Sequence, residues 1–454
     1  MSTSPSSRQK PLHLPGPKSK AILDEVLEYV LFDPYPFSLD IERCNGMRLV
    51  TLDGQEIFDW AGYYGSKLIG HNHPALYEPD YVRRLTVAAN NKTANPDFLT
   101  PQCLDYYRLL NRHAPKVMQG PDLEVYAVNS GAEAVENMMK YMISRFNSKK
   151  KRDGHVPSHK RFIYFDKAFH GRTVFALGVT QTLDTVATRD FHGLTVGGNI
   201  KLPFPSVGSM HTAEQQTAIT ERSLDLIEAA LSQMHDEIVG IIVEPIQGAG
   251  GQRCAQPEFF RGLSELAHHY GVYVGFDEVQ TGGGVTGEWF AIDHFDLPHP
   301  PIAVASGKKF GCGTLWMLEP LEEMGVLDST WGGTLADMVR VVHEFEIVER
   351  ENLVEAAKTN GHRLRDGLLQ LVQRYPTLLK NVRGMGLYQG FQLATPELKA
   401  EFVRLAREEY STLLLGAGLI SIRFRPNLSV TAEEIDELLE ILDAIAATML
   451  RAKS

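Results

Sequence analysis

Val-Tyr-Val-Gly-Phe-Asp-Glu-Val-Gln-Thr-Gly-Gly-Gly, at residues 272–284, is the stretch that most constrains the fold. Its first five residues are mainly apolar and include two valines, a composition that predicts a buried parallel strand. Asp277 and Gln280 follow the strand, and three glycines come after them. Ligands of open α/β sheets bind at the carboxyl ends of the strands. We therefore expect Asp277 and Gln280 to lie at a ligand site.

A second apolar run, at residues 301–306, ends in Gly307-Lys308-Lys309. An acid and a lysine at neighbouring strand ends suit pyridoxal phosphate, because the acid keeps the pyridine nitrogen protonated and the lysine amine forms a Schiff base with the aldehyde. Taken singly, an acid after a strand is often only a helix or turn cap, and a Gly-Lys-Lys run is often an exposed loop. The cofactor interpretation therefore depends on further motifs.

Three motifs together resemble those of the class III aminotransferases of fold type I. They are Asp-Glu-Val-Gln-Thr-Gly at 277–282, Gly-Lys-Lys at 307–309 and Ser-Thr-Trp-Gly-Gly at 329–333. The pattern is most similar to the lysine 6-aminotransferase branch, and the resemblance extends over about residues 58–426. It implies an α/β fold with a doubly wound, mostly parallel sheet in a large cofactor domain and a smaller α+β domain built from both chain ends.

Composition excludes several other classes of protein. The chain has 454 residues, of which 43% are hydrophobic and 22% charged, and a net charge of -11. An acidic chain of this kind is not expected to bind nucleic acid or a membrane surface. No apolar run reaches the roughly 18 residues of a membrane span, and no signal-peptide core is present, so we expect a cytoplasmic protein. Four scattered cysteines without a Cys-x-x-Cys motif indicate reduced thiols.

The chain divides into four predicted parts. Residues 1–20 are rich in Ser, Pro and Lys, which predicts a mobile arm. A hairpin signal, Asp53-Gly54, lies in residues 21–75, the predicted N-terminal part of the small domain. Residues 76–335 alternate between strand and helix patterns, as a large doubly wound domain requires. Residues 336–454 are the predicted C-terminal part of the small domain.

A strand pattern at 124–128 runs directly into an amphipathic helix through Asn129-Ser130-Gly131-Ala132. Such a turn exposes backbone N–H groups at the positive end of the helix dipole, where a phosphate binds well. By local chemistry alone, an ordinary helix cap explains the motif equally well. The resemblance implies that Ser130, Gly131 and Ala132 hold the cofactor phosphate.

The resemblance assigns the other cofactor residues as well. Phe169, in Phe-His-Gly-Arg-Thr, stacks on the cofactor ring, and Val279 lies behind that ring. Gln280 hydrogen-bonds the phenolic oxygen of the cofactor. Thr330 reaches the cofactor phosphate of a second subunit, which implies a homodimer with shared active sites.

Two arginines are implied to bind substrate carboxylates: Arg172 and Arg423. Arg425 matches no such residue. One departure from the family stands at Ala249, where the lysine, ornithine and 4-aminobutyrate aminotransferases carry a glutamate that masks the arginine matching Arg423. We therefore expect either that another acid masks Arg423 or that the amine donor is not a simple diamino acid.

The function implied by the resemblance is a ping-pong transamination. Lys308 is the expected catalytic base, with Lys309 the weaker candidate, and the amino group passes from the ω-amine of a lysine-like amino acid to a 2-oxo acid such as 2-oxoglutarate. The alternatives are a different donor, a decarboxylase or racemase of the same fold, and a non-catalytic dimeric relative.

No metal is expected, because His71 and His73 lack further ligands and their pattern is typical of a turn. Either Tyr63 or Tyr64 is expected to line the substrate pocket.

Overall fold

A computed structural model of the chain describes residues 12–181 and 198–451. Its helices are α1 (Pro17–Tyr29), α2 (Gly62–Gly65), α3 (Pro79–Asn90), α4 (Pro101–Arg112), α5 (Gly131–Arg152), α6 (Val174–Leu177), α7 (Ala213–Met234), α8 (Pro257–Tyr270), α9 (Leu335–Arg350), α10 (Leu353–Arg374), α11 (Pro396–Tyr410) and α12 (Ala432–Arg451). Its strands are β1 (Arg48–Val50), β2 (Glu56–Asp59), β3 (Glu124–Val128), β4 (Arg161–Phe165), β5 (Ile200–Leu202), β6 (Ile238–Val243), β7 (Ile246–Gln247), β8 (Arg253–Cys254), β9 (Tyr273–Asp277), β10 (Ala303–Ser306), β11 (Gly313–Met317), β12 (Leu379–Met385), β13 (Tyr388–Leu393), β14 (Thr412–Leu413), β15 (Leu415–Ala417) and β16 (Ser421–Arg423).

Seven strands form the central sheet, in the order β3-β11-β10-β9-β6-β4-β5. The run from β10 to β5 is parallel throughout, and β11 lies antiparallel between β10 and β3. The predicted doubly wound, mostly parallel sheet is therefore confirmed. Because β3, β4, β6, β9 and β10 all run in one direction, their carboxyl ends share one edge of the sheet.

Helices cover both faces of this sheet. Ala303 and Ala305 pack in the same apolar cluster as α5, whereas Val304 between them packs in the cluster that contains α8 and α9. This alternation is what a strand with two buried faces requires. Glycines let α5 approach closely, since a Cβ at Gly275 would lie 2.8 Å from the sulfur of Met138.

Both ends of the chain contribute to the smaller domain. The N-terminal hairpin pairs β1 with β2, as its Asp-Gly motif predicts, and β14 from the C-terminal region adds to β2 in parallel. A second, antiparallel sheet has the order β12-β13-β16-β15. The smaller domain built from both chain ends is thus confirmed, while the boundaries at residues 75 and 335 stay predictions.

The structure differs from the predicted arm over its last nine residues; residues 1–11 of that arm lie outside the described part. Leu12 is buried, and α1 already begins at Pro17. The carboxylate of Asp53 accepts hydrogen bonds from the N–H groups of Lys18 and Ser19, at 2.8 and 3.0 Å. Because the capping residue of α1 lies 34 residues away in the chain, the sequence of the arm alone does not predict this helix start.

No helix within residues 12–181 and 198–451 combines the length and the apolar character that crossing a membrane requires. The cytoplasmic location stays a prediction.

The ring of Phe260 is central to the packing of α8 on the sheet, and its removal tests this core. It is fully buried and stacks on Phe295 with 4.0 Å between ring centroids. We expect Phe260→Ala to lower the free energy of unfolding by about 3–5 kcal/mol, because it leaves a cavity in a packed interior. Denaturant unfolding measures the change. Met210→Ala, at a position 58% exposed, is the control, and equal effects of both variants would contradict the packing described.

Candidate active site

The residues that follow five of the strands line one pocket at the carboxyl edge of the central sheet, which we call the inner pocket. Its lining comprises Gly131, Ala132, Phe169, His170, Gly171, Glu244, Ile246, Asp277, Val279, Gln280 and Lys308. Seven of these residues are expected from the sequence to bind the cofactor. They are Gly131, Ala132, Phe169, Asp277, Val279, Gln280 and Lys308.

Two other residues expected at the cofactor do not line the inner pocket. Ser130 is the cap of α5, and its hydroxyl accepts a hydrogen bond from the N–H of Glu133 at 3.2 Å. Thr330 is exposed on the surface of the chain. The roles of Ser130 and Thr330 in binding the cofactor phosphate stay predictions.

A second pocket, the outer pocket, opens from the inner one and shares Phe169, Gln280 and Lys308 with it. Its lining comprises Tyr64, Phe169, Arg172, Ala249, Gln280, Lys308, Lys399, Gly416, Ala417, Gly418 and Arg423. Both arginines expected to bind substrate carboxylates are present. Of the two tyrosines left open by the sequence, Tyr64 lines this pocket, whereas the ring of Tyr63 packs edge-on against His71, 5.2 Å away.

Asp277 is buried at the inner end of the inner pocket and is held from two sides. One carboxylate oxygen accepts a hydrogen bond from the N–H of Val279 at 3.0 Å. The other lies 2.7 Å from Nδ1 of His170, which is itself completely buried. Although burial opposes the charged imidazole, the hydrogen bond to Asp277 and the charge of Asp277 raise the pKa of His170. Asp277 and His170 therefore form a buried, hydrogen-bonded pair.

Lys308 presents its amine where the two pockets join. The amine donates a hydrogen bond to the backbone carbonyl of Tyr64 at 2.7 Å. Lys308 and Tyr64 both have left-handed backbone conformations, with φ of 50° and 60°, which cost energy for residues other than glycine. Burial, then the charges of Arg425 and Arg423, lower the pKa of Lys308 to about 7, against the opposing charge of Asp277. A neutral amine is thus available near pH 7.

Lys309 points into the protein. It is 2% exposed, and its amine donates to the backbone carbonyl of Gln280 at 3.3 Å. Burial and the charge of Lys308 lower the pKa of Lys309 to about 7, while Glu278 opposes the shift. Because Lys309 lines neither pocket, the geometry favours Lys308 as the reactive amine.

The amide of Gln280 is oriented by two buried side chains. Its oxygen accepts hydrogen bonds from the hydroxyl of Tyr388, at 3.0 Å, and from the guanidinium of Arg425. Arg425 is 1% exposed and also lies over the ring of Tyr388, 4.5 Å from the centroid. Because the oxygen already accepts two hydrogen bonds, the NH₂ group of the Gln280 amide is the part that can donate a hydrogen bond toward the pocket.

The family model described as aminotransferase class-III matches residues 33–446. The chain belongs to the class III aminotransferases. The resemblance seen in its motifs is therefore confirmed, and so is pyridoxal 5'-phosphate as its cofactor.

Several known proteins are similar to this aminotransferase over nearly their whole length. An L-lysine-epsilon aminotransferase of Amycolatopsis lactamdurans is 31% identical over 95% of this chain and 97% of its own. An acetylornithine aminotransferase of Gloeobacter violaceus is 31% identical over 93% of this chain and 96% of its own. The solved lysine aminotransferase of Mycobacterium tuberculosis has a TM-score of 0.88 at 29% identity, over 95% of this chain and 99% of its own.

The inner pocket of this aminotransferase fits pyridoxal phosphate on its own chemistry. The N–H groups of Gly131 and Ala132 lie in the first turn of α5, where a helix offers them no hydrogen-bond partner, and such groups bind phosphate. Only glycine fits at 131, since a Cβ there would lie 2.7 Å from a methyl of Val279. Asp277 suits the ring nitrogen, and Lys308 suits the aldehyde. Within the described residues, no group of His, Cys, Asp or Glu suits a metal ion.

The sequence interpretation gives no role to several residues of the site, among them His170, Glu244 and Arg425. His170 stands in the Phe-His-Gly-Arg-Thr motif, but its partner lies 107 residues later. Glu244 accepts a hydrogen bond from the N–H of Phe169 at 3.0 Å, and burial raises the pKa of Glu244 to about 8. The only sequence signal for Glu244 is its position: it is an acid directly after a strand, in the Glu-Pro pair that follows β6.

The two neighbouring lysines provide a matched test of the reactive amine. We expect Lys308→Ala to abolish the visible absorbance of the covalently bound cofactor, because its amine is the one in the pockets. Lys309→Met keeps a buried side chain of similar length and should retain the band. Absorbance spectra of both purified proteins measure this. Loss of the band only in the Lys309 variant would reverse the assignment.

A second test concerns the pKa of Lys308. A neutral amine attacks an aldehyde and a charged one does not, so attachment of pyridoxal phosphate to the cofactor-free enzyme should speed up with pH through about 7 and level off above it. Stopped-flow absorbance measures the rate, with free Nα-acetyl-lysine as the control whose rate keeps rising at higher pH. A protein rate that still rises tenfold per pH unit at pH 9 would rule out the lowered pKa.

Proposed function

We propose that this aminotransferase moves the ω-amine of a lysine-like amino acid to a 2-oxo acid such as 2-oxoglutarate, as a homodimer with shared active sites. The observation that carries the proposal is the placement of Lys308 and Asp277 in the lining of one pocket, at the ends of adjacent parallel strands. Bound pyridoxal phosphate supplies an aldehyde that accepts the amino group and a protonated ring that stores an electron pair.

Each side chain of the inner pocket has a distinct part in this reaction. Asp277, supported by His170, holds a proton at the ring nitrogen of the cofactor. Gln280 would donate a hydrogen bond to the phenolic oxygen, and Phe169 and Val279 would hold the ring from its two faces. Lys308 would remove the proton from the substrate carbon and return it, a task for which a pKa near 7 is well matched.

The nature of the donor is supported by the outer pocket and by relatives. Arg172 lines the wall of that pocket and suits a carboxylate distant from the reacting amine. Relatives that match more than nine-tenths of the chain are named L-lysine-epsilon aminotransferases. Lysine-like amino acids combine a distant carboxylate with an ω-amine, and 2-oxoglutarate offers two carboxylates for the same basic pocket.

Exposed apolar residues near Thr330 support the homodimer. Phe98 and Leu99 are 69% and 78% exposed, and Trp331 is 43% exposed. Asn95 links the two segments, since its side chain donates to the carbonyl of Trp331 at 2.7 Å. Clustered exposed apolar side chains mark interaction surfaces, and this one would bring Thr330 to the partner subunit.

Product analysis tests the function. The loaded enzyme is mixed with 2-oxoglutarate and a panel of lysine, ornithine, 4-aminobutyrate and 2,6-diaminopimelate. We expect glutamate to form in equal amount to the oxidised donor.

We also expect Asp277→Asn to slow this reaction by about 10²–10³-fold, because the stored electron pair loses its preorganised charge partner.

The alternatives predict different products. Release of carbon dioxide from a donor would identify a decarboxylase, and loss of optical purity without glutamate would identify a racemase. Absence of any product with every donor would contradict catalysis in this pocket.

A further inference from the structure

Arg425 is a buried arginine that lines neither pocket. It is 1% exposed, and its Nε and Nη2 atoms are buried without a hydrogen-bond partner in the described part of the chain. Its Nη1 atom donates to the side-chain oxygen of Gln280. Removing a guanidinium from water costs free energy unless its charge and its donors are compensated. Because the fold carries this cost, the contact between Arg425 and Gln280 is a candidate for a functional role.

Tyr388 supplies a second donor to the same amide oxygen. Its hydroxyl donates to Oε1 of Gln280 at 3.0 Å, and the guanidinium of Arg425 lies over its ring, 4.5 Å from the centroid. An amide oxygen has two lone pairs, so these two donors use both of them. A flipped amide would set its NH₂ group against the guanidinium, which accepts no hydrogen bond. The two buried side chains therefore fix the orientation of the Gln280 amide.

A glycine makes room for this contact. Gly248 follows β7, and a Cβ at this position would collide with the hydroxyl of Tyr388, the guanidinium of Arg425 and the amide oxygen of Gln280. The ends of the three side chains thus meet directly above the backbone of Gly248. Any larger residue there would have to displace them, so their arrangement depends on the close approach that glycine permits.

The turn at α2 packs against Arg425 from another side. Gly62 and Gly65 of this turn have φ of 53° and 80°. A Cβ at Gly62 would collide with the carbonyl oxygen of Arg425, and one at Gly65 would lie 3.3 Å from its Cδ. The same turn carries Tyr64, whose carbonyl accepts the hydrogen bond from the amine of Lys308. Arg425 is therefore in contact with the turn that anchors the reactive amine.

Gln280 lines both pockets, so its NH₂ group can donate to a ligand in them. The proposed function assigns this group to the phenolic oxygen of pyridoxal phosphate. Hydrogen bonds that form a chain polarise one another, so donors on the amide oxygen make the NH₂ group a stronger donor. A charged donor such as Arg425 has a larger effect than a neutral one.

We propose that Arg425 and Tyr388 hold the amide of Gln280 in position against the phenolic oxygen of the cofactor and strengthen the hydrogen bond that it donates. Both are positioning residues, because they line neither pocket and contact the amide that does. The inference rests on the proposed role of Gln280 and adds the side chains on which that role depends.

The acidity of the Schiff base formed by Lys308 reports the strength of this hydrogen bond. Negative charge on the phenolic oxygen attracts the proton of the Schiff-base nitrogen. A donor from Gln280 withdraws part of that charge, so the nitrogen loses its proton at a lower pH. The protonated and the neutral Schiff base absorb at different wavelengths. A weaker donor should therefore raise the midpoint pH of the visible band.

Other titratable and charged groups face the cofactor site, and each stays unchanged in the variants used below. In the inner pocket they are His170, Glu244 and Asp277. In the outer pocket they are Tyr64, Arg172, Lys399 and Arg423.

Absorbance titration of the loaded enzyme measures the effect. We expect Gln280→Met to raise the midpoint by about 1 pH unit, the size expected for one hydrogen bond to a charged group. Arg425→Met should raise it by at least about 0.5 unit and Tyr388→Phe, which keeps the ring, by at least about 0.3 unit. Tyr141→Phe is the matched control, since it removes another buried hydroxyl, which donates to the carbonyl of Glu319 at 2.7 Å, and should leave the midpoint unchanged.

A double-mutant cycle separates action through Gln280 from a direct effect of charge. Tyr388→Phe changes no charge, so in the Gln280→Met background it should have no further effect. Arg425→Met should lose at least about half of its effect in that background, and the remainder is the direct influence of its charge, which also lowers the pKa of Lys308. Equal shifts with and without Gln280 would overturn the inference. Tyr388→Phe alone decides the question if Arg425→Met does not fold.

The outcomes distinguish this inference from the proposed role of Gln280. An unchanged midpoint in Gln280→Met would refute that role and the inference with it. A shift in Gln280→Met without a shift in Tyr388→Phe or Arg425→Met would leave the role of Gln280 standing and refute the positioning by its two neighbours.

Discussion

Parallel pairing of β9 with β10 is the constraint on which the active site depends. Ala305 lies beside Asp277 in that register, so Lys308 follows the neighbouring strand end within three residues. Gly307 lets the connection pass close to α5, since a Cβ there would lie 3.2 Å from the Cα of Gly131. A shift of one residue in this pairing would turn each side chain of the shifted strand to the opposite face of the sheet. Backbone pairing therefore places the acid and the lysine at one edge of the sheet, next to α5.

Charge distribution links this geometry to chemistry. Burial and the charges of Arg425 and Arg423 favour a neutral Lys308, against the opposing charge of Asp277. The same excess of positive charge makes the pockets receptive to an anionic cofactor and to carboxylate substrates. Reactivity of the amine and affinity for anions thus both depend on the same concentration of positive charge.

Much of the fold and part of the site were predictable because their signals are local. An apolar run followed by a polar residue marks a strand end, and parallel strands bring such ends together; this is how Asp277 and Lys308 became candidates. For Gly131 the local signal fitted a helix cap equally well, and the family resemblance favoured the phosphate. Contacts between distant segments had no such signal. The pairing of His170 with Asp277 and of Arg425 with Gln280 depends on how loops and the two domains meet, and hydrophobic periodicity carries no information about that. Family motifs supplied Arg172 and Arg423, which local chemistry would have left as surface and strand residues.

The central claim is that the amine of Lys308 and the carboxylate of Asp277 serve one cofactor. Reduction of the loaded enzyme with borohydride, followed by proteolysis and mass spectrometry, tests it most directly by fixing the cofactor to the amine that holds it. The account predicts a single modified peptide carrying the added mass on Lys308. Modification of Lys309 instead, or of a lysine outside the inner pocket, would contradict it.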